Sequence, residues 1–186
     1  MANVAVHKDK LIQATIRLYR ERGYANTGLN DILKLSGAPK GSLYYYFPGG
    51  KDELTVAAIR AAGAVVENTL NDLTHKFVEP QKFVLAYCQL LAEWMTGSRF
   101  KSGCPIATTV LETVPFSKPI TKASQEVFAT WINLVAQVFI RQGFEHETAK
   151  QKAEQVIIAV EGALLLARVQ QSAAPILLVP AMLFKD

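Results

Sequence analysis

Ser36-Gly37-Ala38-Pro39-Lys40-Gly41-Ser42-Leu43-Tyr44-Tyr45-Tyr46-Phe47 is the stretch that decides the fold. Gly37 is free to take the positive φ that reverses a chain sharply, so Ser36-Gly37-Ala38 reads as a tight turn. Pro39 suits the opening of a helix, where a missing N–H costs nothing because first-turn donors are unpaired anyway. That helix runs to Phe47 and stops at Pro48-Gly49-Gly50. Upstream, Leu29-Asn30-Asp31-Ile32-Leu33-Lys34-Leu35 forms a second short amphipathic helix. Thr27 and Gly28 stand at its start, and Asp31 is well placed against the positive helix end. From Lys8 to Arg22, the residues Leu11, Ile12, Thr15, Leu18 and Tyr19 recur at three- and four-residue spacing until Gly23 ends the pattern. A helix, a short helix, a turn and another short helix make a helix-turn-helix.

The third helix must choose which face to leave wet. Leu43 and Phe47 lie four apart and suit a core built from Leu18, Tyr19, Ile32 and Leu35. Lys40, Ser42, Tyr44, Tyr45 and Tyr46 cannot all turn inward on so short a helix. Phenols beside a lysine are groups that hold phosphate oxygens, and Gly41 removes a side chain where a helix presses closest to base edges. A core aromatic cluster is the competing reading of these rings. Charge favours the duplex. Residues 1–60 carry nine Lys/Arg and five Asp/Glu, whereas the remaining 126 carry eleven of each, so the whole excess of +4 lies in the first third.

The rest of the chain continues in helical rhythm. A long helix is expected from Lys51 to about Thr74, with Leu54, Ala57, Ala58, Ala61, Val65 and Leu70 inward. Others follow from Pro80 to near Gly97, from Cys104 to before Pro115, from Pro119 to Gln142, and from Glu147 to Gln171. No useful stretch alternates with the two-residue period of a strand. The expected class is all-α, with residues 1–50 as a helix-turn-helix DNA-binding domain and 51–186 as a second helical domain. Glu161 and Arg168 interrupt the longest apolar runs, so no membrane span is expected. Residues 1–8 show no secretory leader, and a cytoplasmic protein is the expectation. Cys88 and Cys104 are too few for a disulfide framework. His7, His75 and His146 have no metal-ligand spacing, and no phosphate-cradling glycine loop occurs, so neither metal nor cofactor is expected.

The first 55 or so residues resemble the TetR family of bacterial transcriptional regulators. The resemblance runs through Ile12, Tyr19, Arg22-Gly23-Tyr24, Thr27, Asp31-Ile32, the Ser36–Phe47 stretch and Lys51. Gly37-Ala38-Pro39-Lys40-Gly41-Ser42 through Lys51, with the later Ser102-Gly103-Cys104-Pro105, is similar to the LmrA/YxaF-like subgroup. The resemblance implies that Lys40, Gly41 and Tyr44 approach bases, while Thr27, Ser42, Tyr45, Tyr46 and Lys51 hold phosphates. It also implies that 51–186 is a helical effector-binding and dimerisation domain, in a repressor that binds a palindromic operator as a dimer and is released by a small effector. Two positions depart from the pattern. Gly28 stands where many relatives carry a Ser or Thr cap, and Gly49-Gly50 lengthens the turn before Lys51 by one residue.

Val156–Ala167 is apolar nearly all round, which fits either a central buried helix or one that also packs on a second copy. Gly162 and Ala163 would permit close helix approach, and the Ile120–Gln142 helix is the expected second half of a four-helix contact. Tyr87, Trp94 and Trp131 could stack a flat apolar effector, with Thr108, Glu112 and Arg168 orienting it; plain core packing is the alternative for each ring. Cys104 reads as a ligand-site residue near a helix start, where its thiol is either redox-responsive or simply buried. The alternative from another class is a helical enzyme acting on a small apolar molecule, with Glu112 or Glu161 as acid/base. No nucleophile motif supports it, and the expectation is that the protein is not an enzyme.

Overall fold

A computed structural model describes residues 2–184, with side chains from Val6 onward. Met1, the first residue of the stretch read for a leader, lies outside the described residues. Among those described there are nine helices and no strand: α1 (Ala2–Arg22), α2 (Leu29–Ser36), α3 (Lys40–Tyr46), α4 (Lys51–Lys76), α5 (Pro80–Gly97), α6 (Pro105–Thr113), α7 (Lys118–Arg141), α8 (His146–Gln170) and α9 (Ala174–Leu183). None of them is long and apolar enough to cross a membrane.

The chain divides into two compact units, residues 1–64 with 105–127 and residues 65–104 with 128–186. The first unit is therefore larger than the helix-turn-helix, taking in the start of α4, all of α6 and the start of α7. Its core is set by the periodicity of α1: Leu11, Ala14, Thr15, Leu18 and Tyr19 are buried against Ile32, Leu43, Phe47, Leu54 and Ala58. Burying Leu43 and Phe47 contributes roughly 1.5–3 kcal/mol each, enough to fix the rotation of so short a helix as α3. Leu35 does not join them and is 41% exposed on α2. Val65 is likewise exposed, contrary to expectation.

Local chemistry explains the ends of the elements. Gly37 has φ +65° and its N–H donates to the Leu33 carbonyl at 3.0 Å. The Ser36 hydroxyl donates to Leu33 O and accepts from the Ala38 N–H, which closes the turn. Pro39 caps α3 with an extended backbone instead of being its first residue. At α2, the side chain of Asp31 accepts the Gly28 N–H at 2.9 Å and pairs with Arg22 at 3.2 Å, while the Asp31 N–H, which a Ser or Thr cap hydroxyl would bind, donates to the Gly28 carbonyl at 3.1 Å. α1 begins six residues before Lys8.

In the second unit, α9 packs on both α5 and α8. Phe83, Val84, Tyr87 and Leu91 of α5 are buried with Val156, Val160 and Ala167 of α8 and with Ile176 and Val179 of α9.

Candidate nucleic-acid interface

Once Leu43 and Phe47 point inward, the remaining positions of α3 are determined. Lys40 and Gly41 are exposed, Tyr44 is 50% exposed and Tyr45 74%. These four positions are spaced i, i+1, i+4 and i+5, so they share one face of the helix. Ser42 is half-buried at its edge. A side chain at Gly41 would meet nothing within 4 Å, and its φ is unremarkable. The glycine is thus required neither by packing within the chain nor by backbone conformation.

Charge refines this face. Arg17 pairs with Glu21, Arg22 with Asp31 and Arg60 with Glu126. Among the described residues Lys34 and Lys40 form no ion pair, and both are exposed on the helix-turn-helix. Lys34 lies on α2 beside exposed Leu35; the sequence reading passed over it because a lysine on an amphipathic helix has no distinguishing mark.

Three expected phosphate contacts are corrected. Thr27 is fully buried, and its hydroxyl donates to the Gly23 carbonyl at 2.7 Å, so it has no surface to offer a phosphate. Tyr46 has its phenol oxygen shut away from solvent with no hydrogen-bond partner within the protein. Burial raises its pKa, and its ring packs edge-on against Tyr45 at 5.0 Å. Lys51 is turned inward: its ammonium donates to the Tyr24 carbonyl at 2.7 Å and stands 3.7 Å over the Tyr24 ring. Burial holds this ammonium below its ordinary pKa, against the opposing pull of Glu112 and Asp52.

Tyr24, which no local pattern in the sequence marks out, is central to this network. Its hydroxyl donates to Asp52 at 3.0 Å, while the other Asp52 oxygen accepts from Ser117 at 2.8 Å. Burial first, then Asp52, pushes the Tyr24 phenol up to about 12. Nearby, Thr55 donates to the Lys51 carbonyl and therefore accepts from the Tyr19 hydroxyl at 2.7 Å. Together these bonds lock the first turns of α4 onto the end of α1, which fixes the plane in which α3 is presented.

The expected ligand residues separate. Glu112 and Thr108 belong to the first unit and are used structurally. Glu112 accepts the Ala25 N–H at 2.6 Å and lies so close to Gly23 that a Cβ there would stand 2.7 Å from its oxygen. The Thr108 hydroxyl is shared between the carbonyls of Tyr19 and Pro105. Both residues anchor α6 to α1. Nothing in the sequence could announce a Glu112 contact that closes a span of 87 residues. In the second unit Tyr87 is buried and close to Cys104, while the Arg168 guanidinium lies against Gly103. Burial raises the Tyr87 phenol far above its ordinary range, and the Cys88 thiol to about 12. Trp131 is buried edge-on to Phe128 at 5.2 Å, while Trp94 is 45% exposed.

Similarity to known proteins agrees with this geometry. Residues 11–58 match the family model for bacterial regulatory proteins of the tetR family, and residues 80–182 match the LmrA/YxaF-like transcriptional regulator C-terminal domain. The HTH-type regulators YxaF and LmrA of Bacillus subtilis are each 31% identical to the chain. The matches cover 92% and 91% of this chain, and 90% of each relative. A solved regulatory protein TetR from Rhodobacter sphaeroides superposes with a TM-score of 0.84 at 25% identity, covering 94% of this chain and 95% of that one. A helix-turn-helix whose third helix leaves a lysine, a glycine and two phenols outward, followed by a body of this subgroup, makes the chain a member of the TetR family of transcriptional regulators, with an LmrA/YxaF-like C-terminal domain.

Proposed function

We propose that the protein is a repressor that binds a palindromic operator as a homodimer and is released by a small effector. The observation that carries the DNA role is the outward face of Lys40, Gly41, Tyr44 and Tyr45. In this reading Lys40, Gly41 and Tyr44 meet base edges, while Ser42 and Tyr45 hold phosphates. A single helix of this length reads few base pairs. Two copies reading half-sites about 34 Å apart multiply both affinity and selectivity. A dimer seated across a promoter occludes the DNA it covers, which makes repression the direct consequence of binding. The work is regulatory and not enzymatic, and it takes place in the cytoplasm, beside the chromosome.

The second unit supports the dimer. On α8, Ile158, Leu165, Leu166 and Val169 are exposed, and on α9 so are Leu177, Leu178 and Met182. Stripes of this kind belong to a partner-covered surface. Gly162 lies in the α8 stripe with open space around it, although a mid-helix glycine costs roughly 0.5–1 kcal/mol relative to alanine. Close approach of a twin helix gives that glycine a purpose. The second apolar stripe lies on α9; α7 is more polar outward, with Asn133 and Gln137 exposed. Effector release follows as a population shift: a ligand preferring the non-binding state by ~100-fold shifts the equilibrium by at most about 2.7 kcal/mol.

The test is binding to duplex taken from upstream of the protein's own gene, followed across a salt series. Affinity should fall steeply as salt rises. A salt-insensitive complex, or equal affinity for unrelated duplex, refutes operator recognition. A strict monomer by sedimentation refutes the dimer.

A further inference from the structure

α2 has four polar side chains, and two of them work inside the protein. Asp31 accepts the Gly28 N–H and pairs with Arg22 at the start of the helix. Ser36 donates to Leu33 O and accepts from the Ala38 N–H at its end. Asn30 and Lys34 are the other two. Both are exposed, and among the described residues neither side chain forms a hydrogen bond or an ion pair. Successive helical residues turn by about 100°, so Asn30 and Lys34, four apart, share one face. That face lies across the helix from Ile32, which is fully buried where α2 packs on α1.

The backbone under these two side chains is held at both ends. Asp31 ties the first turn to Gly28 and to Arg22 of α1. Just beyond Lys34, the Leu33 carbonyl accepts from both the Gly37 N–H and the Ser36 hydroxyl. Only side-chain freedom is therefore lost when Lys34 takes a partner, which keeps the cost of binding low. Its one acidic neighbour within α2, Asp31, is already engaged. Cations are scarce on the reading helix itself. Lys51 is turned inward, so Lys40 is the one lysine that α3 offers, against a strand with a negative charge about every 3.4 Å. In a helix-turn-helix, the helix before the recognition helix crosses the nucleic-acid backbone.

We propose that Lys34 and Asn30 form a phosphate clamp on α2. The Lys34 ammonium and the Asn30 amide donate to phosphate oxygens beside the groove that α3 enters. They fix the register of α3 and carry no sequence information themselves. The inference rests on the DNA-binding reading above and adds to it two contacts on a second helix.

The test measures binding of the full chain to duplex from upstream of its own gene and to a scrambled duplex of equal length, each across a salt series. Lys34→Met should lower the slope of log affinity against log salt by about 0.9 per protomer. It should also weaken both duplexes by the same factor, within about twofold, so that selectivity is kept. Lys34→Arg should restore the slope. Asn30→Ala should weaken both duplexes by roughly two- to tenfold with the slope unchanged, because an amide carries no charge. Lys150→Met removes the same charge from an exposed site on α8, in the second unit, and controls for net charge. A Lys34→Met slope equal to that of wild type or of Lys150→Met overturns the clamp, as does a loss confined to the operator. Asn30→Ala without effect overturns its half. Both side chains are exposed and unpartnered, so the variants should melt with wild type; should Lys34→Met not fold, Lys34→Gln reads the same slope. A wild-type protein that binds no duplex, or binds without salt dependence, refutes the DNA reading itself. A steep wild-type slope that Lys34→Met leaves intact refutes the clamp alone.

Discussion

Replacing Gly41 by alanine separates folding from DNA recognition at one position. Gly41 is the second residue of α3, its backbone is ordinary, and a Cβ placed on it meets no atom within 4 Å. Nothing in the protein resists the substitution. Alanine loses less backbone freedom on folding than glycine, so the variant should be more stable by about 0.5 kcal/mol, at the low end of the helix scale because the site lies in the first turn. For a chain of this size, that raises the melting temperature by roughly 1–2 °C. Operator affinity should move the other way. If α3 lies against base edges, the added methyl lifts the helix or displaces a neighbouring contact. Loss of one good base contact costs about 1–3 kcal/mol, roughly five- to 150-fold in affinity. Differential scanning fluorimetry reads the first quantity, and fluorescence anisotropy on a labelled operator reads the second. Unchanged operator affinity would refute the placement of Gly41 at the interface, and a lower melting temperature would refute the claim that the fold has no need of it.

Other perturbations probe the corrected assignments. Lys51→Met should destabilise the protein by about 1 kcal/mol through loss of the Tyr24 contacts and leave the salt slope of DNA binding unchanged. Lys40→Met should lower that slope by roughly one contact; equal slopes for the two variants would return Lys51 to the phosphates. Tyr44→Ala should relax sequence choice, whereas Tyr45→Phe should weaken all duplexes alike; the reversed pattern on a panel of operator variants exchanges their roles. The Gly28 N–H first, and then Arg22, holds the Asp31 carboxyl below its ordinary pKa. Its contribution to stability is therefore full above the unfolded pKa and is lost as pH falls through the folded one. Asp31→Asn should be less stable than wild type near neutrality and converge with it in acid, and a gap independent of pH would rule out the carboxylate as the cause. Gly162→Leu, at a position with open space in the protomer, should leave helix content intact while sedimentation shifts toward monomer.

What the sequence disclosed and what it withheld follow one division. Features encoded within a turn or two of helix were legible: the Gly37 reversal, the inward pair Leu43 and Phe47, and a lysine with several phenols left outward on α3 all follow from spacing along a few residues, although which phenols do not. Features that depend on distant partners were not. Thr27, Tyr46 and Lys51 carry groups well suited to phosphate, and the family resemblance puts each there by matching position. The Lys51 ammonium turns inward because Tyr24, far back in the chain, presents a carbonyl and a ring at the right distance.

The glycines state the same point more sharply, because their letter is identical while their physical reasons are opposite. Gly23 and Gly63 are glycine for reasons internal to the protein: Gly23 has φ +81°, where a side chain is strained, and at Gly63 a Cβ would stand 2.7 Å from the Val127 methyls. Gly41 and Gly162 are glycine where the protein leaves all the room there is. Alanine at the first pair should damage folding. At the second pair it should improve folding of the lone protomer and weaken what the protomer does with DNA or with its twin. On the proposed function, a second molecule is what gives Gly41 and Gly162 their use: the duplex at α3 and the twin copy at the apolar stripe of α8.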